Sequence, residues 1–210
     1  MPTFELERQF TNNIVAGVDE AGCGPWAGPV VAAAAVWHED AMPYNSSVME
    51  IIDLIDDSKK LSKSKREKVY ECLLGLPGSI FEYGLGQASV AEIDTVNIGQ
   101  ATLLAMSRAV GSLQMPPDVV LVDGIRKPEL GSKVITVIKG DQVSFSIAAA
   151  SIIAKVSRDQ IMEELSSQFP DYGWRSNSGY GTAQHQEALR QHGVTEHHRR
   201  SYSPIAKLLA

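Results

Sequence analysis

Cysteine is nearly missing from this chain: Cys23 and Cys72 are the only two in 210 residues. Two such thiols make no disulfide framework and show no CxxC metal spacing, which excludes a cystine-stapled module and fits a reducing cytoplasm. Long apolar runs are missing too. Those present are broken by glycine or charge well short of the ~20 residues of a membrane span, and no basic, apolar, small-residue leader opens the sequence. A soluble, unprocessed, cytoplasmic protein with no membrane partner is expected. A positive balance is also lacking. Nineteen Lys and Arg against 25 Asp and Glu leave a net charge of -6, which argues weakly against a nucleic-acid partner if the charge is spread evenly. It is not spread evenly. Lys59, Lys60, Lys63, Lys65, Arg66 and Lys68 crowd one segment, and Lys155, Arg158, Arg175, Arg199 and Arg200 lie in the second half. Such clustering leaves room for a basic phosphate track on an acidic protein, although a charge run is most often a solvated face.

What is present begins with core: 44% hydrophobic content at this length supports one domain. The most informative stretch is Ile14 to Ala34, IVAGVDEAGCGPWAGPVVAAA. An apolar strand reaches Asp19 and Glu20, breaks into a turn holding Gly22, Gly24, Pro25 and Gly28, and a second apolar strand leaves from Pro29. Neighbouring strand residues face opposite ways, so the two acids address one site only if the strand bends or ends there. Glycines allow that bend and let a ligand approach main-chain amides. An acid pair is most often solvated. Flanked by apolar strands it is costly to bury unless neutralised, and a divalent cation is the natural partner at a strand end.

Further along, Ser62 predicts a cap for a helix from Lys63 to Leu74, ended by Gly75. Ser58, Lys59 and Lys60 lie on its approach, where hydroxyl, ammonium and exposed amides suit a phosphate. A third strand is expected over 79–87, helical segments over 89–94 and 97–112, and a buried strand from Asp118 to Asp123. Asp123 is a second carboxylate at a strand end, the place where open α/β sheets hold their ligands. Lys133 to Ile138 reads as a strand and Ser146 as the cap of a long helix ending near Phe169. Asp141, just ahead of that helix, is the candidate fourth acid; Asp159, beside Arg158 and Lys155, is its rival and reads as a surface ion-pair partner. Residues 1–13 are polar and read as a loose arm. A glycine loop around Tyr180, a helix from Thr182 to His192 and the basic run HHRR follow.

VDEAGCGPWAGPVVAAA, DDSKKLSKSKRE, LVDG, KGDQVSFSIAAASIIAKVSRD, SGYGTAQH and HHRRSYSPI, in this order from about Ile14 to Ile205, resemble ribonuclease HII, the type 2 ribonuclease H. The resemblance implies an α/β fold: a ribonuclease H-like mixed β-sheet flanked by helices with a small helical C-terminal segment, a core over about 14–168 and a substrate-contacting segment over about 169–210. It implies a monomeric endonuclease that hydrolyses the RNA of RNA/DNA hybrids and cuts 5′ of ribonucleotides in duplex DNA, leaving 3′-hydroxyl and 5′-phosphate ends. Asp19, Glu20, Asp123 and Asp141 match the family's four catalytic, metal-holding carboxylates, whose oxygens suit Mg2+ or Mn2+ in a two-ion site. Gly22, Cys23, Gly24 and Tyr180 match the residues that read the ribose 2′-hydroxyl, with Ser58, Lys59 and Lys60 as further substrate contacts. One departure stands out: Cys23 takes the place of the arginine in the family's Gly-Arg-Gly. Backbone amides survive that change and the guanidinium does not. Two alternatives stay open, a protein that binds hybrid duplex without cutting it, and a hydrolase using Cys23 as nucleophile with a histidine.

Overall fold

The centre of the molecule is set by an alanine-rich strand. In the computed structural model, which describes residues 2–38, 46–55 and 61–210, β1 (Val15–Ala21) and β2 (Val30–Trp37) form an antiparallel hairpin. β3 (Phe81–Ala88) pairs antiparallel with β2, while β4 (Val119–Asp123) and β5 (Lys133–Val137) run parallel to β1 on its other side. The sheet order is β3-β2-β1-β4-β5.

Every residue of β2 is buried, so the sheet is covered on both faces. Its period of two sends Ala32, Ala34 and Val36 to one side, against Ala101, Ala105 and Ala109 of α3 (Val90–Gly111). Ala33, Ala35 and Trp37 go to the other, against Ala148, Ala149, Ile152 and Ile153 of α4 (Phe145–Gln168). Small residues on both partners let helix and sheet approach closely. At Gly17 the approach is extreme: a Cβ there would lie 2.2 Å from the Ile147 amide nitrogen. The start of α4 therefore rests on the backbone of β1, directly before the acids.

Around this frame stand α1 (Ser46–Leu54) and α2 (Lys63–Leu74), the latter capped by Ser62 as the sequence predicts. The two segments expected over 89–112 form one assigned helix broken at Asn97, whose φ of 66° leaves the helical region and whose Oδ1 accepts from the Gln100 amide at 3.1 Å. After α4 come α5 (Trp174–Asn177), α6 (Ala183–His192) and α7 (Ser203–Leu209), gathered on a cluster of Ala27, Met162, Tyr172, Trp174, Leu189 and Ile205.

Two expectations are corrected. Ser144, not Ser146, caps α4 by accepting from the Ile147 amide at 3.1 Å; Ser146 is buried inside the first turn, and Glu7 Oε1 takes its amide at 3.0 Å. The N-terminal arm is correspondingly not loose. Phe4 packs between Trp37 and Phe145, and Glu7 also accepts from the Ser144 hydroxyl at 2.6 Å. One buried aromatic and one carboxylate that satisfies an orphan amide of the first helical turn and the capping hydroxyl anchor a segment whose composition reads as polar.

Candidate active site

Register brings the first two acids together. In the parallel pair β1·β4 the last partners are Val18 and Val122, so Asp19 and Asp123, each the next residue, stand side by side just beyond that ladder. Contrary to expectation, β1 does not end at the acids but stays paired with β2 through Ala21, Asp19 opposite Ala33 and Glu20 opposite Ala32. Asp19 is buried, and its Oδ1 accepts from the Glu20 amide at 2.7 Å. Burial first, then repulsion from Glu20 and Asp123, holds its carboxyl well above the usual carboxylate range. Ser151, on the face of α4 that covers β1, donates a hydrogen bond that partly offsets this. Asp123 Oδ1 accepts from the Gly140 amide at 2.6 Å, which ties the turn after β5 to the end of β4. The next residue is Asp141, also buried. Asp159 points elsewhere: it accepts from Lys155 Nζ at 2.5 Å and Ser178 Oγ at 3.3 Å, with Arg66 at 4.0 Å.

The loop after Glu20 is turned inside out. Arg199 donates to the carbonyls of Gly22 at 2.7 Å, Cys23 at 3.2 Å, Gly28 at 2.9 Å and Pro29 at 3.1 Å. Arg158 donates to those of Pro29 at 3.0 Å, Ala27 at 3.1 Å and Ser178 at 3.0 Å. With carbonyls drawn inward, the amides of Gly22, Cys23 and Gly24 find no acceptor among the described residues. Gly22 is required here: its φ is 101°, and a Cβ would lie 2.1 Å from Arg158 Nε. Opposite stands Tyr180, half-exposed, its ring 3.3 Å from where a Gly24 Cβ would be. The two loops are joined directly, Trp26 N donating to Gly179 O at 2.8 Å.

A family model for ribonuclease HII matches residues 16–205. The chain belongs to the ribonuclease HII family. It is 50% identical over 210 residues to the ribonuclease HII of Rhodospirillum rubrum, covering 100% of this chain and 93% of that one. It is 48% identical over 204 residues to that of Wolbachia sp. subsp. Brugia malayi, covering 97% and 94%. Among solved structures it is similar to the ribonuclease H2 of Pyrococcus horikoshii, with a TM-score of 0.74 at 29% identity over 92% of this chain and 96% of that one. The ribonuclease H-like mixed sheet flanked by helices follows from these matches and the observed topology.

For a chain of this ribonuclease HII family, the surroundings of Cys23 oppose a nucleophile's role. The thiol sits 3.3 Å from Glu20 Oε1 and 3.3 Å from Thr102 Oγ1, not beside a histidine. Burial, then the charge of Glu20, pushes it up to about 11, so the thiolate needed for attack is scarce at neutral pH. The basic residues divide as well. Arg158 and Arg199 belong to the interior rather than to a phosphate-facing flank. A signal for Arg158 was available in the spacing: Ile147, Ser151, Ala154, Arg158 and Met162 recur every three or four residues and are all buried. Arg199 has no comparable signal. Ser58, Lys59 and Lys60 lie outside the described residues. Arg126, which sequence reasoning missed, reaches Glu20 Oε1 at 3.5 Å and is half-exposed at the mouth of the site.

Among the described residues, no three His, Cys, Asp or Glu are already drawn together to hold an ion. The donor chemistry nevertheless fits a hard divalent cation: carboxylate oxygens only, with one buried acid whose ionised form is opposed by two others. Among the same residues no helix is long and apolar enough to cross a membrane.

Proposed function

We propose that this enzyme hydrolyses the RNA strand of RNA/DNA hybrids and cuts 5′ of ribonucleotides embedded in duplex DNA, leaving 3′-hydroxyl and 5′-phosphate ends, as a monomer. The observation that carries this reading is the adjacency of Asp19 and Asp123 just beyond the β1·β4 ladder, beside a loop whose amides have no acceptor among the described residues. Asp19, Glu20, Asp123 and Asp141 would hold Mg2+ or Mn2+. When bound, such ions supply charge neutralisation at the phosphoryl oxygens and activation of water.

The chain's own residues do the rest. Glu20 and Asp123 oppose ionisation of Asp19, so the cluster is primed to exchange protons for cations. The Gly22, Cys23 and Gly24 amides offer donors to an anionic or hydroxyl oxygen with no side chain intervening. Tyr180 presents a ring to stack on a sugar and a hydroxyl to donate to the 2′-oxygen, the one group that separates ribose from deoxyribose. Ser58, Lys59 and Lys60 would add phosphate contacts. Ile125 and Arg126, exposed just beyond Asp123, sit where a strand leaving the site would pass.

Incubating labelled RNA/DNA hybrid, and DNA duplex with one ribonucleotide, in Mg2+, Mn2+ or EDTA tests the reading. Cleavage of both in either metal and of neither in EDTA is expected. Tight binding without product under every condition would instead establish the binding-only alternative.

A further inference from the structure

Arg158 and Arg199 are 2% and 0% exposed. Together they donate eight hydrogen bonds, seven of them to main-chain carbonyls. Among the described residues neither has a carboxylate within ion-pair distance. Two like charges even share one acceptor, the Pro29 carbonyl, and burial followed by the charge of Arg199 draws Arg158 down to about 10. Buried unpaired cations are an expensive way to hold a loop if holding is all that is required. A guanidinium fork, however, can collect several carbonyls at once in fixed geometry. The carbonyls of Gly22 and Cys23 are gathered onto Arg199, while the amides of Gly22, Cys23 and Gly24 have no acceptor among the described residues and lie over two buried positive charges. Arg158 reaches further. It also takes the carbonyl of Ser178, two residues before Tyr180, so one guanidinium joins the Ala27–Pro29 end of the glycine loop to the segment that carries Tyr180, while Arg199 holds the Gly22–Cys23 end.

We propose that Arg158 and Arg199 are positioning residues for ribose discrimination, clamping the Gly22–Gly24 amides and Tyr180 into one preformed jaw. The proposal rests on the reading that these amides and Tyr180 contact the ribose, and adds what sets their geometry. Neither arginine touches substrate. Each acts through the backbone it holds, so loss of the fork shifts donors by a fraction of an ångström to an ångström without removing any of them.

The test uses Arg158→Lys and Arg199→Lys, which keep charge and lose the fork. Kinetics on DNA duplex carrying one ribonucleotide and on continuous RNA/DNA hybrid are measured beside thermal melting. The expected result is a fall in kcat/KM on the single ribonucleotide of roughly tenfold to a hundredfold, the scale of an ångström misplacement. The kcat/KM on the hybrid, which offers many registers, should change much less. An equal decline on both substrates, tracking the melting temperature, overturns the proposal in favour of a plain packing role. Failure of the underlying reading looks different: wild-type enzyme would cut neither substrate, or Tyr180→Ala would leave its preference intact. If a Lys variant does not fold, wild-type enzyme in EDTA carries the test by amide NMR. Signals of Gly22, Cys23, Gly24 and of residues 179–181 should shift together on adding the ribonucleotide-containing duplex and not with all-DNA duplex. Shifts that part company, or that both duplexes induce equally, overturn the clamp.

Discussion

Asp19 is the residue on which the site turns, and its environment makes a prediction with a definite sign. Its folded-state carboxyl is raised above the ordinary value by burial and by two neighbouring acids. Stability from the protonated form is therefore full at low pH and declines as pH rises through the folded-state value. Asp19→Asn should abolish cleavage yet raise the melting temperature of metal-free enzyme at neutral pH, and flatten its decline with pH. Cleavage retained by Asp19→Asn or Asp123→Asn would remove these acids from the centre. Tyr180 is the second decisive residue. Tyr180→Phe loses one hydrogen bond worth about 0.5 to 1.5 kcal/mol, so single-ribonucleotide cleavage should fall by up to roughly tenfold. Tyr180→Ala loses the ring as well, and stacking contributes about 1 to 3 kcal/mol more. Half of the Tyr180 surface is open to solvent, so neither change should lower the melting temperature appreciably; a clear drop would assign the ring to packing.

Among the elements, the contrast between a turn and a helix decides which fourth acid matters. Asp141 lies in the turn that Asp123 holds through Gly140, whereas Asp159 is fixed on α4 by Lys155 and Ser178. Asp141→Asn should cost far more activity than Asp159→Asn, with stability the quantity more affected at Asp159. A more damaging Asp159 substitution in single-turnover assays would reverse the assignment. Most elements were legible because their signals are local. Apolar runs, glycine punctuation and the Ser62 cap mark β1 to β5 and α2, and acids beside apolar runs mark the candidates Asp19, Glu20 and Asp123, although only Asp123 ends its strand and β1 continues to Ala21. What stayed illegible depends on pairing across the chain. Ser144 wins the α4 cap from Ser146 because Glu7, 137 residues earlier, accepts from its hydroxyl. Nothing near Arg199 says that its partners are carbonyls 170 to 177 residues away. Short-range pattern gives the carboxylates of the site, while the loop facing them is shaped by long-range contacts.

For the molecule as a whole, pH should act from both sides. In the C-terminal segment the Thr195 amide donates to His198 Nδ1 at 3.0 Å, which makes that nitrogen an acceptor. His198 Nε2 can then donate to His185 Nε2 at 2.9 Å, and His185 Nδ1 to the Tyr180 carbonyl at 2.9 Å. Both rings are neutral in this chain of bonds. Burial, then His185, pushes His198 down from 6.5 to about 3. A depressed folded-state value means that its contribution is complete above pH 6.5 and is lost as pH falls toward 3. Asp19 works in the opposite direction. Melting followed from pH 7 to pH 4 should therefore show acid lability that His198→Asn reduces, with single-ribonucleotide cleavage in the wild type more sensitive than cleavage of long hybrid. An unchanged acid profile in His198→Asn would place the lability elsewhere.

The bonds from Arg199 to Gly22 and from Tyr202 to Cys23 span 177 and 179 residues, and this has a consequence for how the enzyme is born. At a translation rate of ~5–20 residues per second, the loop is polymerised on the order of ten to forty seconds before the arginine that shapes it. A nascent chain can thus fold its sheet and assemble its carboxylates while the Gly22–Gly24 loop still lacks the side chain that gathers its carbonyls. Chains stalled on ribosomes just short of Arg199 should accordingly protect the sheet from protease yet fail to distinguish a ribonucleotide-bearing duplex from plain DNA.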